Sequence, residues 1–280
     1  MGACISVDGS RRWRVKLRRM QPEILPRHLD DATLWPAGCG VDVGEAYERA
    51  LTVRQLRIRR GEQPRGYKVG FTNRTIWERY GVYAPIWGTV WNTTLSFCEG
   101  EGEIALAGTC QPRIEPECVF GLKATPPARA TLDELLACVE WIAPGFEIVQ
   151  SHMSDWKFTA ADTVADSGLH GRLLVGRKIP VDALPRDAAS FDAQLAAARI
   201  TLWRGDERID AGTGANVLDG PLHALAHFLG ALRDGPGAPD LLPGDVVTTG
   251  TWTDAWPVHR GEQWRAAFDP PLAPLSVRFA

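Results

Sequence analysis

The residues whose types and spacing could do chemistry lie first between Arg113 and Phe120, where the chain reads Arg-Ile-Glu-Pro-Glu-Cys-Val-Phe. In a strand, successive side chains point to opposite faces, so Glu115 and Glu117 share one face and their neighbours share the other. Two carboxylates held that close raise one pKa unless a positive group lies between them. A divalent cation is the natural candidate for that group.

A second short apolar segment, Gly145–Gln150, carries one further carboxylate, Glu147. A buried carboxylate without a partner is costly, so it neutralises or finds one. Three carboxylates with no nearby His or Cys pair favour Mg²⁺, Mn²⁺ or Ca²⁺ over zinc. The alternative is that Arg113 pairs with Glu115 while Glu117 and Glu147 are ordinary ion-paired residues on strands. The spacing leaves both interpretations open.

A lysine lies in the segment Gly66–Phe71, which reads as a strand. The chain has 31 basic residues, of which only five are lysines, so arginine is its default surface cation. Lys68 lies on the same strand face as Gly66 and Gly70, where a compact ammonium could approach a substrate carboxylate. The alternative is an edge lysine whose stem covers apolar surface while its charge reaches water.

Elements must position these residues, and the helical candidates are the clearest. Apolar positions at helical spacing predict a helix over residues 41–60, with acidic residues near its start and arginines at its end. A capping box at Thr131–Glu134 opens a predicted helix that runs to about Ile142, and Pro144-Gly145 ends it. A third helix is predicted over 221–233, with proline in its first turn.

The last third of the chain has mostly strand patterns. Residues 199–203 and 207–210 flank an Arg-Gly-Asp turn and predict a hairpin, and 245–250 and 275–279 predict further strands. Before them, two glycines flank His170, which predicts a loop that brings an imidazole to a specific place. The alternative is a solvated loop histidine.

The composition is that of an ordinary globular protein, with 45% hydrophobic and 23% charged residues in 280. A net charge of -3 gives no reason to expect nucleic acid or an anionic membrane as a partner. The six cysteines form no Cys-x-x-Cys pair, which favours reduced thiols in the cytoplasm. No apolar run reaches the length of a membrane span, and the basic start lacks the apolar segment of a secretory signal.

Seven blocks along the chain resemble, in the same order, the 2-oxopent-4-enoate hydratase and 4-oxalocrotonate decarboxylase family of the fumarylacetoacetate hydrolase superfamily. The resemblance covers about Asp42 to Phe279. The blocks are Gly66–Thr72, Pro112–Glu117, Phe146–Ser151, Ser154–Lys157, Asp162–Asp166, Gly212–Leu218 and Gly244–Gly250.

This resemblance implies an α+β fold, in which a mixed β-roll forms the catalytic domain beside a smaller α/β N-terminal region. We expect an N-terminal extension over 1–40, partly disordered, the small region over 41–95 and the β-roll over 96–280. The resemblance also implies a homo-oligomer, a dimer or higher, and a bound Mg²⁺ or Mn²⁺. By position, Glu115, Glu117 and Glu147 correspond to its metal ligands and Lys68 to its substrate-binding lysine.

Two departures from the family pattern bear on the reaction. Hydratases of the family have Asp at the position of Ile86, which is followed by Trp87 in this chain. They also tend to have Ala-Ser-Ser in place of residues 168–170. Losing a pocket carboxylate while gaining an imidazole and bulky apolar groups predicts a more apolar or aromatic substrate tail, with His170 as general acid or base. The candidate catalytic residues are Lys68, His170 and Asp166. The candidate substrate-binding residues are Lys68, Ile86, Trp87, Lys157 and Leu169.

The hypothesis for function is a divalent-metal-dependent lyase of the hydratase type that acts on a 2-oxo acid. Such an acid chelates the metal through a carboxylate oxygen and its keto oxygen, and the metal stabilises the enolate that forms. Water addition, decarboxylation and C–C hydrolysis can all pass through that enolate. The alternatives are therefore a C–C hydrolase of acylpyruvates, a 2-oxo acid decarboxylase, or a non-catalytic metal-binding relative.

Overall fold

The computed structural model describes residue 30 and residues 32–35, 39–235 and 237–280. The predicted N-terminal extension over 1–40 therefore lies almost entirely outside the described residues. From residue 39 onwards the described chain is a succession of short helices and strands.

Six α-helices lie in the described part of the chain. They are α1 (Val43–Arg59), α2 (Trp77–Tyr80), α3 (Leu132–Ala137), α4 (Ala160–Ala165), α5 (Ala188–Ala197) and α6 (Pro221–Asp234). The first matches the helix predicted from apolar spacing. Its N-cap is Asp42, whose carboxylate accepts a hydrogen bond from the Glu45 backbone N–H at 2.9 Å. The last matches the helix predicted with proline in its first turn. None of the described helices is long and apolar enough to cross a membrane.

Fourteen strands connect these helices in the described residues. In chain order, β1 to β7 are Pro64–Gly70, Ile86–Trp91, Leu95–Phe97, Glu101–Ile104, Arg113–Leu122, Val139–Val149 and His170–Val175. Strands β8 to β14 are Ile179–Pro180, Arg199–Arg204, Glu207–Thr213, Val246–Thr251, Trp256–Pro257, Gln263–Phe268 and Leu275–Phe279. The predicted hairpin is β9 and β10, with Gly205 in the left-handed region at the turn.

The strands form two sheets. The larger has nine strands in the order β2-β1-β11-β5-β6-β7-β3, with β12 paired to β5 and β8 to β6. The smaller has five strands in the order β10-β9-β13-β14-β4. Because β1 and β2 belong to the same sheet as β5 to β7, the small N-terminal region and the larger region share one sheet. The division at residues 95 and 96 stays a prediction.

The predicted helix to Ile142 with a break at Pro144-Gly145 is wrong beyond Ala137. The capping box forms as predicted, with the Thr131 hydroxyl accepting from the Glu134 backbone N–H. However, the chain enters β6 at Val139 and stays extended through Pro144, because these apolar residues pair with β5 over its whole length. Strand pairing outweighs the local helical pattern, since Val and Ile fit a sheet buried on both faces.

The core fills the space between the sheets and the two longer C-terminal helices. The ring of Phe120 in β5 lies 6.4 Å from that of Phe191 in α5, and both are fully buried. A smaller apolar cluster joins Ala46 of α1 to Val164 of α4 and Ile86 of β2. This cluster packs α4 against α1 and against the start of β2.

Candidate active site

Three glutamates converge on one face of the larger sheet. Glu115 on β5 lies directly opposite Glu147 on β6, and Glu117 lies two residues further along β5 on the same face. Each offers a carboxylate oxygen, and these oxygens all lie within 4.8 Å of one another. Alternation of side chains along β5 predicts that Glu115 and Glu117 share a face. The register between β5 and β6 brings Glu147 to the same face.

Backbone donors fix Glu117 in place. Its Oε2 atom accepts hydrogen bonds from the N–H groups of Thr249, at 2.9 Å, and Gly250, at 2.6 Å. The pairing of β11 with β5 is irregular between Thr248 and Thr251, and this irregularity turns both N–H groups towards the carboxylate. Gly250 has a φ of 94°, and a Cβ there would lie 1.8 Å from the Thr72 hydroxyl oxygen, so the position requires glycine.

His170 holds Glu147. Its Nδ1 atom lies 2.9 Å from Glu147 Oε1, and its Nε2 atom lies 2.8 Å from the Thr94 hydroxyl. A carboxylate only accepts, so Nδ1 donates to Glu147, and in the neutral ring Nε2 accepts from the Thr94 hydroxyl. Burial lowers the pKa of His170, which favours the neutral ring that this pattern requires, although the hydrogen bond to Glu147 opposes it. Both ring nitrogens are therefore engaged.

Lys68 provides the positive charge of the cluster. Its Nζ atom lies 3.4 Å from Glu147 Oε2, and its side chain is almost fully buried. Strands β1 and β6 are three positions apart in the sheet, about 14 Å in a flat sheet. Side chains that meet across this separation indicate that the sheet curls towards the face that carries the glutamates.

The pKa shifts describe a site with too much negative charge. Burial, together with the charge of Glu147, raises the pKa of Glu115 to about 7, although Lys68 opposes the shift. Burial and the charges of both neighbours raise the pKa of Glu117 well above its usual range. Burial also acts on Glu147, but the charge of Lys68 and the hydrogen bond from His170 outweigh it and lower its pKa. Burial disfavours protonated Lys68, yet the three carboxylates raise its pKa.

The donor set fits a hard divalent cation. Glu117 Oε1 and Glu147 Oε2 are buried and have no hydrogen-bond partner among the described residues. Buried carboxylate oxygens without hydrogen bonds are costly; Lys68, 3.4 Å from Glu147 Oε2, offsets part of this cost, and a cation between the oxygens removes the rest. The alternative pairing of Arg113 with Glu115 is not seen. Arg113 stacks on Trp156 instead, with its guanidinium carbon 4.1 Å from the ring centroid.

A cavity of about 270 Å³ opens above the glutamates. Four of the predicted site residues line it, namely Lys68, Ile86, Glu115 and Leu169. Glu117 and Glu147 lie beneath its floor, fully buried. A larger surface depression of about 700 Å³ lies elsewhere, between Lys123 and Arg186, and holds none of the glutamates. The chemistry of the smaller cavity identifies it as the candidate active site.

Two predicted substrate-binding residues are not part of this cavity lining. Trp87 is buried on another face of β2, where its ring stacks 4.5 Å from that of Tyr47. Lys157 is 81% exposed and pairs with Asp155 at 3.6 Å. Their substrate-binding roles stay predictions that this placement does not support.

Asp166 lies behind the cavity rather than in it. Its carboxylate contacts His152, accepting from the backbone N–H at 2.9 Å and lying 2.7 Å from the ring Nδ1. Both side chains are fully buried, and Trp35 stacks on His152 at 5.3 Å. Asp166 ends α4 and precedes His170. Its contact with His152 therefore fixes the turn that leads to His170, the partner of Glu147. Its predicted catalytic role stays a prediction.

Sequence reasoning missed three contributors to the site. Thr94 bonds His170, and the backbone of Thr249 and Gly250 bonds Glu117. Backbone donors have no side-chain signature, and Thr94 lies in a polar turn that looks unremarkable in the sequence. The block Gly244–Gly250 is the available sequence signal for the backbone donors, because a glycine at position 250 permits close approach of the backbone.

Comparison with known proteins gives the family. No known family profile matches the chain. The chain is 32% identical over 227 residues to 2-hydroxyhexa-2,4-dienoate hydratase of Comamonas testosteroni, covering 79% of this chain and 81% of that protein. The chain belongs to the 2-oxopent-4-enoate hydratase and 4-oxalocrotonate decarboxylase family. A second member, 4-oxalocrotonate decarboxylase of a Pseudomonas species, is 34% identical over 66% of this chain and 68% of that protein.

The chain is similar in fold to solved structures. The 4-oxalocrotonate decarboxylase from Pseudomonas putida G7, complexed with magnesium and adipate, has a TM-score of 0.82 at 22% identity, covering 98% of this chain and 99% of that chain. Fumarylpyruvate hydrolase from Pseudomonas aeruginosa, complexed with Mn²⁺ and pyruvate, has a TM-score of 0.58 at 19% identity, covering 77% of this chain and 89% of that chain. The predicted α+β fold of the fumarylacetoacetate hydrolase type is confirmed.

Proposed function

We propose that the protein is a divalent-metal-dependent lyase of the hydratase type that acts on a 2-oxo acid. The observation that carries the proposal is the convergence of Glu115, Glu117 and Glu147 with Lys68 at the inner end of one cavity. Membership of a family whose named members are hydratases and a decarboxylase supports it.

The three glutamates are the proposed ligands of Mg²⁺ or, as second choice, Mn²⁺. With three ionised carboxylates and one protonated lysine, the cluster has two negative charges left over, which one divalent cation balances. Oxygen ligands suit either cation. Structures similar in fold contain magnesium or calcium, which supports a divalent ion in this role. When bound, the cation neutralises negative charge that develops on the 2-oxo group.

The chain's own residues bind and orient the substrate. Lys68 Nζ keeps its proton, because the three carboxylates raise its pKa, so it acts as a positive partner for the substrate carboxylate and not as a base. His170 acts through Glu147, since its Nδ1 proton is donated to that carboxylate. Ile86 and Leu169 line the cavity and exclude water from the reacting carbons.

Decarboxylation of a 2-oxo acid is the second candidate function. Ile86 lines the cavity at the position where hydratases of the family have Asp, so that carboxylate is unavailable to relay a proton during water addition. The chain is 34% identical to a named 4-oxalocrotonate decarboxylase over 188 residues and 32% identical to a named hydratase over 227 residues, so the identities do not separate the two functions. The two candidates share the site and differ in the fate of the enolate.

A product assay separates the two functions. We expect the purified protein with Mg²⁺ to decrease the ultraviolet absorbance of 2-hydroxypenta-2,4-dienoate without releasing carbon dioxide, because hydration removes the conjugation. Release of carbon dioxide from a 2-oxo acid would support the decarboxylase. Turnover unaffected by EDTA would contradict the metal-dependent function altogether. A homo-oligomer in the cytoplasm remains our proposal for assembly and location, supported by the family.

A further inference from the structure

The outer half of the cavity has an aromatic wall. The ring of Phe71, at the end of β1, lies 5.1 Å from that of Tyr80 in α2. Tyr80 in turn stacks on Phe158 at 5.7 Å, and Phe158 lies 5.9 Å from Trp156. All four residues line the cavity, so their rings form an aromatic wall beside the polar lining residues Thr72, Asn73, Thr251 and Thr253.

Positive charge in the lining lies at the inner end alone, among the side chains that the structure describes. Lys68 is the single cation there, and its ammonium group is paired with Glu147 beside the other two glutamates. Three further described cations are close along the chain but engaged by other groups. Arg74 pairs with Asp219 at 2.6 Å, Arg113 stacks on Trp156 and donates to the Ala255 carbonyl at 3.5 Å, and Lys157 pairs with Asp155. Among the described residues, no cation other than Lys68 therefore lines the path of a substrate tail.

The mouth of the cavity has a negative charge instead. Asp254 lines it and is exposed. The loop that carries Asp254 is fixed by Asp210, whose Oδ2 atom accepts from the Asp254 backbone N–H at 3.1 Å and from the Trp256 ring N–H at 2.9 Å. A second carboxylate on the substrate would lose water and face this like charge without a partner.

From these contacts we infer that the cavity selects 2-oxo acids with an uncharged, apolar tail and discriminates against a tail that ends in a second carboxylate. Phe158 and Asp254 determine this specificity, one by contact with the tail and the other by repulsion. The inference deepens the proposed function and rests on it, because the tail is placed by the chelating end at the glutamates.

A matched pair of saturated ligands, which cannot be hydrated, tests the inference. 2-Oxohexanoate and 2-oxoadipate have the same chain length and differ in a terminal methyl or carboxylate group. We expect calorimetry on the Mg²⁺-loaded protein to give at least about tenfold tighter binding for 2-oxohexanoate, because the second carboxylate has no partner in the cavity. Equal or tighter binding of 2-oxoadipate overturns the inference.

Two variants assign the effect to its residues. In Phe158→Ala, binding of 2-oxohexanoate weakens about tenfold while binding of oxalate, which has no tail, is unchanged. In Asp254→Arg, 2-oxoadipate binds more tightly and the preference shrinks. The control Asp206→Arg makes the same charge change at the exposed turn between β9 and β10 and leaves the preference as in the wild type. An equal response to both arginine variants overturns the role of Asp254.

Oxalate separates this inference from the proposed function. Metal-dependent oxalate binding without any tail preference overturns the specificity and leaves the glutamate site standing. Absence of oxalate binding with Mg²⁺ and with Mn²⁺ overturns both.

Discussion

At the scale of single residues, the site is organised by hydrogen bonds that engage one oxygen of Glu117 and one of Glu147 and leave the other oxygen of each without a hydrogen bond from the described residues. Glu117 is held through one oxygen by two backbone N–H groups, and Glu147 through one oxygen by His170. The second oxygen of each has no hydrogen-bond partner in the described chain. Such an arrangement costs free energy without a cation and fixes the ligands before one binds.

Removing the imidazole tests whether His170 positions Glu147. We expect His170→Ala to weaken Mg²⁺ binding about 10- to 100-fold in calorimetry, because Glu147 loses its donor and its orientation. His170→Asn keeps a donor and loses less. If His170→Ala binds Mg²⁺ normally but loses turnover, His170 acts directly as the general acid or base, and the positioning role is contradicted.

The raised pKa of Glu115 predicts how metal binding depends on pH. Its ordinary value is 4.5 and its value in the metal-free protein is about 7. The folded protein therefore holds this proton more tightly than the unfolded chain, so this group reduces the stability of the metal-free protein as pH rises through that interval. The cation displaces the same proton, so Mg²⁺ affinity rises over the interval, and the raised pKa of the second proposed ligand, Glu117, adds to this rise. Calorimetry across that range measures it, and a flat profile contradicts the shift.

The sequence predicts only part of the site at this scale. Alternation along one strand places Glu115 and Glu117 on one face, and this needs no knowledge of the fold. Bringing Glu147 opposite them needs the register of β5 with β6, which depends on the whole sheet. Asp166 shows the limit of the sequence. Its sequence context suggests a catalytic role, but in the folded chain its carboxylate contacts His152.

At the scale of elements, the turn from Ser167 to Leu169 connects the helix α4 to the site. All three residues of this turn have positive φ, and the turn packs directly on Gly88 of β2. A Cβ on Gly88 would lie 2.0 Å from the Ser167 carbonyl oxygen, so the close approach requires glycine. The turn then leads into His170, the partner of Glu147.

We expect Gly88→Ala to destabilise the protein by about 1–3 kcal/mol in chemical denaturation, because backbone atoms must move to admit the methyl group. Oxalate binding weakens as well, since the displaced turn carries Leu169 and His170. The matched control is Gly230→Ala on α6, where nothing lies within 4 Å of the added carbon. That variant gains about 0.4–1 kcal/mol. Equal stability changes in both variants contradict the packing argument.

The sequence predicts the type of an element well where its apolar residues follow one clear spacing. It predicts the type poorly where pairing with a distant strand determines the local structure. The helix α1 and the hairpin of β9 and β10 follow their local patterns. The segment from Val139 has a helical start before it, yet it joins β6, because β5 offers ten residues of pairing. The helix α4 is not among the predicted helices, although Thr159 and Asp162 form a capping box at its start.

At the scale of the whole molecule, the charge of one site affects global stability. A cation that binds only the folded chain stabilises it in proportion to its occupancy. We expect a concentration of Mg²⁺ one hundred times its Kd to add about 2.7 kcal/mol to the free energy of unfolding and to raise Tm. Sodium chloride at matched ionic strength gives no such shift. An unchanged Tm in thermal unfolding with Mg²⁺ contradicts a folded-state metal site.

The central claim is that Glu115, Glu117 and Glu147 hold a divalent cation that binds the chelating end of a 2-oxo acid. The most direct measurement is calorimetry of oxalate with Mg²⁺, on the wild type and on Glu117→Gln. We predict binding that requires Mg²⁺ in the wild type and falls at least about 100-fold in the variant, whose metal-free Tm is not lowered because a buried charge has been removed. Oxalate binding that persists without metal, or that is equal in Glu117→Gln, would contradict the account.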